Sequence, residues 1–144
     1  MRCSCSFSKQ EKILHLFRGL TNQINPKFER CTGISASRYE LLYQLYQTEE
    51  ITQSTLQKAV NIDSSAITRH LKQLEANGMV TRRRNPTDNR EIFVSLTEEG
   101  HKDIVGYRKD NIGFVQQMLH DFTPEELENL SDMFNRMQHN IAEY

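Results

Sequence analysis

The sequence predicts a mainly α-helical domain with one small β-hairpin, and three observations carry that prediction. Apolar residues recur every three or four positions through most of the chain. The period drops to two only around residues 79–96, and the breaks between segments fall on capping residues, Gly or Pro. A chain of 144 residues lies within the roughly 100 to 200 residues typical of one domain. No apolar run approaches the roughly 18 residues that span a bilayer, and the opening MRCSCSFSKQEK lacks the apolar core of a secretory signal. A soluble, cytoplasmic protein with reduced cysteines and no structural disulfide framework is therefore expected.

Taken in order, Ser8 and Glu11 fit a capping box, and Ile13, Phe17, Leu20, Ile24 and Phe28 then mark one helix face. Pro26 lacks an amide hydrogen and disfavours helix at Asn25, which predicts a kink or stop there; Gly33 marks the break that follows. Ser35 or Ser37 starts the second helix, Ser37 with Glu40 forming another capping box, and Leu41, Leu42, Leu45 and Tyr46 supply its buried stripe. That helix ends near Gln47. Two short helices follow, Thr52 to about Val60 and Asp63 to Asn77, the second with Asp63 as N-cap and Gly78 just past its end.

After Gly78, Met79 to Arg84 and Glu91 to Leu96 alternate as two strands around a Pro-containing loop and predict a hairpin. Thr97, followed by Glu98 and Glu99, caps a long helix with Ile104, Val105, Ile112, Val115 and Met118 or Leu119 on its apolar side; Gly106 and Gly113 weaken it or allow close packing. Thr123-Pro124-Glu125-Glu126 starts a last helix, whose Leu127, Leu130, Phe134, Met137 and Ile141 fall on an a/d seam that needs a partner if it is exposed.

Charge is segregated along the chain although the net charge is only −1. Residues 63–90 carry six bases against three acids, whereas residues 121–144 carry six acids against one base. A polyanion would meet the middle of the chain. In the helix from Asp63, Ile67, Leu71 and Leu74 form the apolar face, while Ser65, Thr68, Arg69 and Lys72 lie on a different, wholly polar one. Two short helices joined by the tight turn Asn61-Ile62 and followed by a basic hairpin make a helix-turn-helix with a wing. Such a helix fits the major groove, where Ser, Thr and Arg reach base edges, and an Arg-bearing loop reaches the minor groove or phosphates. In the loop, Asp88 can accept hydrogen bonds from the Arg90 guanidinium or from loop amides and so hold Arg90 outward. The DNA-binding set expected from this pattern is Ser64, Ser65, Thr68, Arg69, Lys72, Arg82, Arg84, Asp88 and Arg90.

On these residues the chain resembles the MarR family of winged helix-turn-helix transcriptional regulators. The likeness runs through the helix order, the stretch DSSAITRHLKQLEANGMV, the wing Asp-Asn-Arg and its sequel REIFVSLTEEG; the most specific element is Asp88-x-Arg90 followed by Leu96-Thr97. The resemblance implies a homodimer whose first and last two helices interlock, with residues 1–33 and 98–144 as the helical dimerisation region and 34–97 as the DNA-binding lobe, its wing at 79–97. It further implies a regulator, in most members a repressor, that leaves its DNA when a small aromatic ligand binds or a cysteine is oxidised. The operator is expected to be pseudo-palindromic, with half-sites about one helical turn apart. The opposing reading is a winged-helix module that binds protein and not DNA.

Arg38, Tyr39 and Tyr43 are the candidate lining of an effector pocket, and Cys31, Cys5 and Cys3 the candidate redox residues. No metal site or cofactor is expected, because His15, His70, His101, His120 and His139 are scattered, with no pair spaced to share a helix face. Nor is an enzyme: Ser64 and Ser65 are the best nucleophile candidates and neither has a matched base.

Overall fold

The computed structural model describes residues 6–144, so Cys3 and Cys5 lie outside the described residues. The elements are α1 (Lys9–Thr32), α2 (Ala36–Tyr46), β1 (Ile51–Thr52), α3 (Gln53–Val60), α4 (Ser64–Ala76), β2 (Val80–Asn85), β3 (Asp88–Leu96), α5 (Glu98–Met118) and α6 (Pro124–Ile141). The chain divides between Ile112 and Gly113 into two compact units, with α5 beginning in the first and ending in the second.

The first unit is built on one apolar core. Leu41, Leu42 and Leu45 of α2 meet Leu56 of α3, Ile67, Leu71 and Leu74 of α4, Val80 and Val94 of the sheet, and Ile104 of α5, all fully buried. Each such side chain contributes roughly 1.5 to 3 kcal/mol through loss of apolar surface from water. Helices α2 and α3 are each capped by a side-chain hydroxyl, whereas Asp63, at the N-cap of α4, makes no side-chain cap hydrogen bond. Ser35, and not Ser37, caps α2, its Oγ accepting from the Arg38 amide at 3.3 Å. Thr52 caps α3 by accepting from the Thr55 amide at 3.2 Å.

Helix α1 does not stop at Pro26 but continues to Thr32 with the proline inside it. An interior proline costs about 3 kcal/mol or more. Beyond it, however, Phe28 is buried and meets the Tyr39 ring edge-on, centroids 5.5 Å apart. Burial of a Phe contributes about 1.5 to 3 kcal/mol and an aromatic pair about 0.5 to 1.5, so tertiary packing offsets the local penalty. The helix stops at Gly33, whose φ of +81° closes a 2.8 Å hydrogen bond from its amide to the Glu29 carbonyl.

The expected hairpin is the larger part of a three-stranded antiparallel sheet in the order β1-β3-β2. β2 and β3 pair from Val80↔Leu96 to Arg84↔Ile92, with an irregularity at Arg84/Asn85 next to the turn. Strand β1 pairs Ile51 with Val94 and Thr52 with Phe93. The base of the wing is clamped: the Thr97 hydroxyl donates to the Gly78 carbonyl at 2.6 Å and accepts from the Gly100 amide at 2.9 Å. Here a glycine is required for space, because a Cβ on Gly100 would stand 2.1 Å from the Met79 carbonyl oxygen. Gly106 and Gly113 have open space instead.

In the second unit, α6 opens with a complete capping box. The Thr123 hydroxyl accepts from the Glu126 amide at 3.1 Å and the Glu126 carboxylate from the Thr123 amide at 3.0 Å. No residue of α6 is buried.

Candidate nucleic-acid interface

Asn61 sets the angle between α3 and α4. It adopts the left-handed conformation, φ 51° and ψ 49°, which Asn tolerates better than other residues bearing a Cβ. The turn it makes sends the chain through Ile62 and Asp63 into α4, a helix of 13 residues and so about 20 Å long. Ile67, Leu71 and Leu74 pin one side of α4 into the core. The other side, with Ser65, Thr68, Arg69, Lys72, Gln73 and Ala76, lines a shallow open groove. Side chains on that face are therefore displayed by a helix that cannot rotate without exposing three buried apolar residues.

The polar groups of this face differ in what they have left to give. Ser65 donates its hydroxyl hydrogen to the Asp63 carboxylate, and that hydrogen bond holds the Asp63 carboxyl below its ordinary pKa. Thr68 donates to the Ser64 carbonyl at 3.0 Å and accepts from Gln53 Nε2 at 3.3 Å. By contrast, Arg69 and Lys72 have no side-chain hydrogen-bond or ion-pair partner among the described residues. The charge available to a polyanion is carried by the cations, not by the hydroxyls.

The wing sorts its arginines in the same way. Arg82 points to the core side of the sheet, pairs with Glu75 at 3.2 Å and is 16% exposed. Arg83, on the opposite face, makes two hydrogen bonds to Glu50 at 3.1 and 2.8 Å and lies 4.7 Å over the Phe93 ring; the Glu50 bonds raise its pKa further. Arg84 and Arg90 are exposed and, among the described residues, without side-chain partners. Asp88 acts on the loop backbone, its Oδ1 accepting from the Arg90 amide at 3.0 Å, while Asn85 Oδ1 accepts from the Thr87 amide at 2.9 Å. These Asx turns shape the loop and leave the Arg90 guanidinium free. Ser64 stands at the first position of α4.

A separate cleft of about 290 Å³ lies between α2 and α5, lined by Tyr39, Glu40, Tyr43, Arg108, Asn111 and Ile112. Tyr39 and Tyr43 stack with centroids 6.3 Å apart. Desolvation raises the Tyr39 pKa, with Glu40 adding to the rise, and desolvation also raises Glu40. The third effector candidate, Arg38, does not line this cleft. Its Nε donates instead to His70 Nδ1 at 3.4 Å, tying α2 to α4. Cys31 is exposed near the end of α1. No group of residues that could hold a metal ion occurs among the described residues, and no described helix is long and apolar enough to cross a membrane.

Sequence reasoning missed Gln53, Gln73, His70, Glu40, Arg108 and Asn111. Gln73 could have been found by extending the polar face of α4 by one turn. Glu40 lies beside Tyr39 on α2 and one turn from Tyr43, whereas Gln53, His70, Arg108 and Asn111 lie on different helices from the residues they meet, and periodicity within one helix holds no signal for that.

Comparison with known proteins agrees with this geometry. A profile of the MarR family matches residues 34–92, which run from the α1–α2 connection to the middle of β3. The HTH-type transcriptional regulator YdgJ of Bacillus subtilis is 51% identical over 93% of this chain and 82% of its own length. Among solved structures, the transcriptional regulator PcaV of Streptomyces coelicolor superposes with a TM-score of 0.86 at 21% identity, over 96% of this chain and 99% of that one. BpsR of Bordetella bronchiseptica gives a TM-score of 0.81 at 18% identity, over 88% and 98%.

Proposed function

The chain belongs to the MarR family of DNA-binding transcriptional regulators, and from that premise we propose that it is a homodimeric repressor of a pseudo-palindromic operator, released by a small aromatic effector. The observation that carries the DNA half of this reading is the fixed orientation of α4, buried through Ile67, Leu71 and Leu74 and presenting Arg69 and Lys72 outward. Arg69 and Lys72, with Ser64, Ser65 and Thr68 around them, enter the major groove; Arg90, in a loop shaped by Asp88, enters the flanking minor groove; Arg84 meets phosphate. Arg82 contributes by holding β2 to α4 through Glu75.

The dimer is supported by exposed apolar stripes on α1 and α6, among them Leu16 and Leu20, Met137 and Ile141. Residues 1–33 and 98–144 supply the dimerisation region in this reading. The effector site is the α2–α5 cleft, where the stacked Tyr39 and Tyr43 offer an aromatic surface and Arg108 a cation. The neighbours make such a ligand reasonable: PcaV was solved in complex with its natural ligand, and DNA binding by BpsR is regulated by 6-hydroxynicotinic acid.

Fluorescence anisotropy on a duplex selected from random sequence tests the reading. Affinity should fall with salt at a log-log slope of about −0.9 per phosphate neutralised. Arg90→Ala should weaken binding by about 1 to 3 kcal/mol with the fold intact. A protein that retains no duplex at low salt would be an interaction module instead. Aromatic carboxylates added to the complex should release it, and Tyr43→Ala should blunt the release; thiol oxidation that releases DNA while Tyr43→Ala does nothing would move the sensor to the cysteines.

A further inference from the structure

Thr68 stands on the face of α4 that the proposed function aims at base edges, yet its hydroxyl is already engaged inside the protein. It donates its only hydrogen to the Ser64 carbonyl at 3.0 Å and receives Gln53 Nε2 at 3.3 Å. Gln53 opens α3, so the contact crosses from the first helix of the pair to the second. Its other amide atom, Oε1, is buried with no hydrogen-bond partner among the described residues. Turning the amide over would place Oε1 against Thr68 and draw the hydroxyl hydrogen to it, so in either orientation that hydrogen is spent within the protein. A glutamine that makes one such bond and orphans its other atom adds little to stability. Its effect falls on Thr68.

We infer that Gln53 is a positioning residue for sequence readout: by holding the Thr68 hydroxyl inward it leaves the threonine methyl as the group offered to DNA, so that α4 reads a thymine C5-methyl at that place in each half-site. The β-branched side chain has few rotamers, and one fixed through its Oγ to both Ser64 and Gln53 cannot swing its methyl away. Thymine is the base whose major-groove edge presents a methyl, and apolar contact with it discriminates without a hydrogen bond. Ser65 strengthens the logic, since its hydroxyl hydrogen is also withdrawn, to Asp63. The recognition face then combines cationic readers, Arg69 and Lys72, with one apolar reader.

This inference rests on α4 entering the major groove. The test uses the full chain and a duplex selected from random sequence, in which each thymine in turn is replaced by deoxyuridine, which lacks only the methyl. Wild type should lose about fourfold in affinity per half-site at one symmetry-related thymine, the factor expected for one buried methyl-sized group. Thr68→Val should keep that sensitivity, Thr68→Ser should lose it, and Gln53→Ala should reduce it while the positions read by Arg69 keep their preference. Melting curves of the variants, measured alongside, separate readout from folding. Tight binding with no thymine sensitive to uracil overturns the methyl readout alone. Sensitivity that persists in Thr68→Ser overturns the assignment to Thr68, and sensitivity unchanged in Gln53→Ala overturns the role of Gln53. Failure to bind any duplex overturns both this inference and the DNA-facing role of α4 beneath it.

Discussion

Helices α4 and α6 carry the same apolar spacing and meet opposite surroundings. In α4, Ile67, Leu71 and Leu74 are at most 1% exposed. In α6, Leu130, Phe134 and Met137 repeat the interval; Leu130 is only half-buried, and Phe134 and Met137 are 36% and 39% exposed. Periodicity states that a face is to be covered, and it is silent on whether the cover comes from the same chain. The chain answers that for α4 with the leucines of α2, Leu56 and the sheet valines. For α6 no residue is buried within the chain, as the proposed dimer contact would require.

The contrast can be broken most forcefully at Leu71. Leu71→Ala should cost about 2 to 5 kcal/mol in urea unfolding and take DNA binding with it, because the recognition face loses its anchor. A cost of a few tenths would mean that the lobe does not depend on that core. At α6 the corresponding test is Met137→Glu, which should leave the unfolding of the lobe in place while weakening dimerisation more than tenfold, over about 1.4 kcal/mol, as read by sedimentation equilibrium. A variant equally dimeric would assign the stripe another use. Thr123→Ala should cost about 1 kcal/mol of helix stability through loss of the capping box, seen in the melting of α6 and not in duplex affinity.

The smallest effect concerns His70, which sharpens the view of α4 as a helix held by its neighbours. Burial, and after it the guanidinium groups of Arg38 and Arg69, lowers the His70 pKa. As the pH falls below about 6.5, the unfolded chain takes up this proton before the folded one does, so the folded state loses stability on acidification through that window. His70→Gln should therefore flatten the fall in melting temperature between about pH 7.5 and pH 5.5. An identical fall in the variant would place the acid sensitivity elsewhere.

Most of the helices were legible in the sequence because caps and spacing act locally. Ser8, Asp63, Gly78, Thr97 and Thr123 all stand at the helix boundaries their chemistry suggested. Three features were not legible. The continuation of α1 past Pro26 goes with the burial of Phe28 on Tyr39, a contact between helices. Strand β1 has two residues, too few to show alternation. The choice between Ser35 and Ser37 was settled by the chain path after Gly33. For the DNA face, residue types and spacing identified the displayed side of α4 but not which groups were already engaged. The pairing of Arg82 with Glu75 and of Thr68 with Gln53 spans seven and fifteen positions, beyond the reach of any local pattern.

The short strand β1 has a mechanical consequence. Thr52 both pairs with Phe93 of the wing and caps α3, which leads through the Asn61 turn into α4. In the proposed function the wing and α4 act as two jaws of one caliper, joined where Thr52 ties β3 to α3 and where Arg82 of β2 pairs with Glu75 of α4. A caliper gauges width as well as touching surfaces. If α4 and the wing occupy neighbouring grooves as proposed, then among duplexes offering identical base edges those whose grooves already match the jaw separation would need the least deformation, and the shape of the flanking DNA would become part of the recognised message.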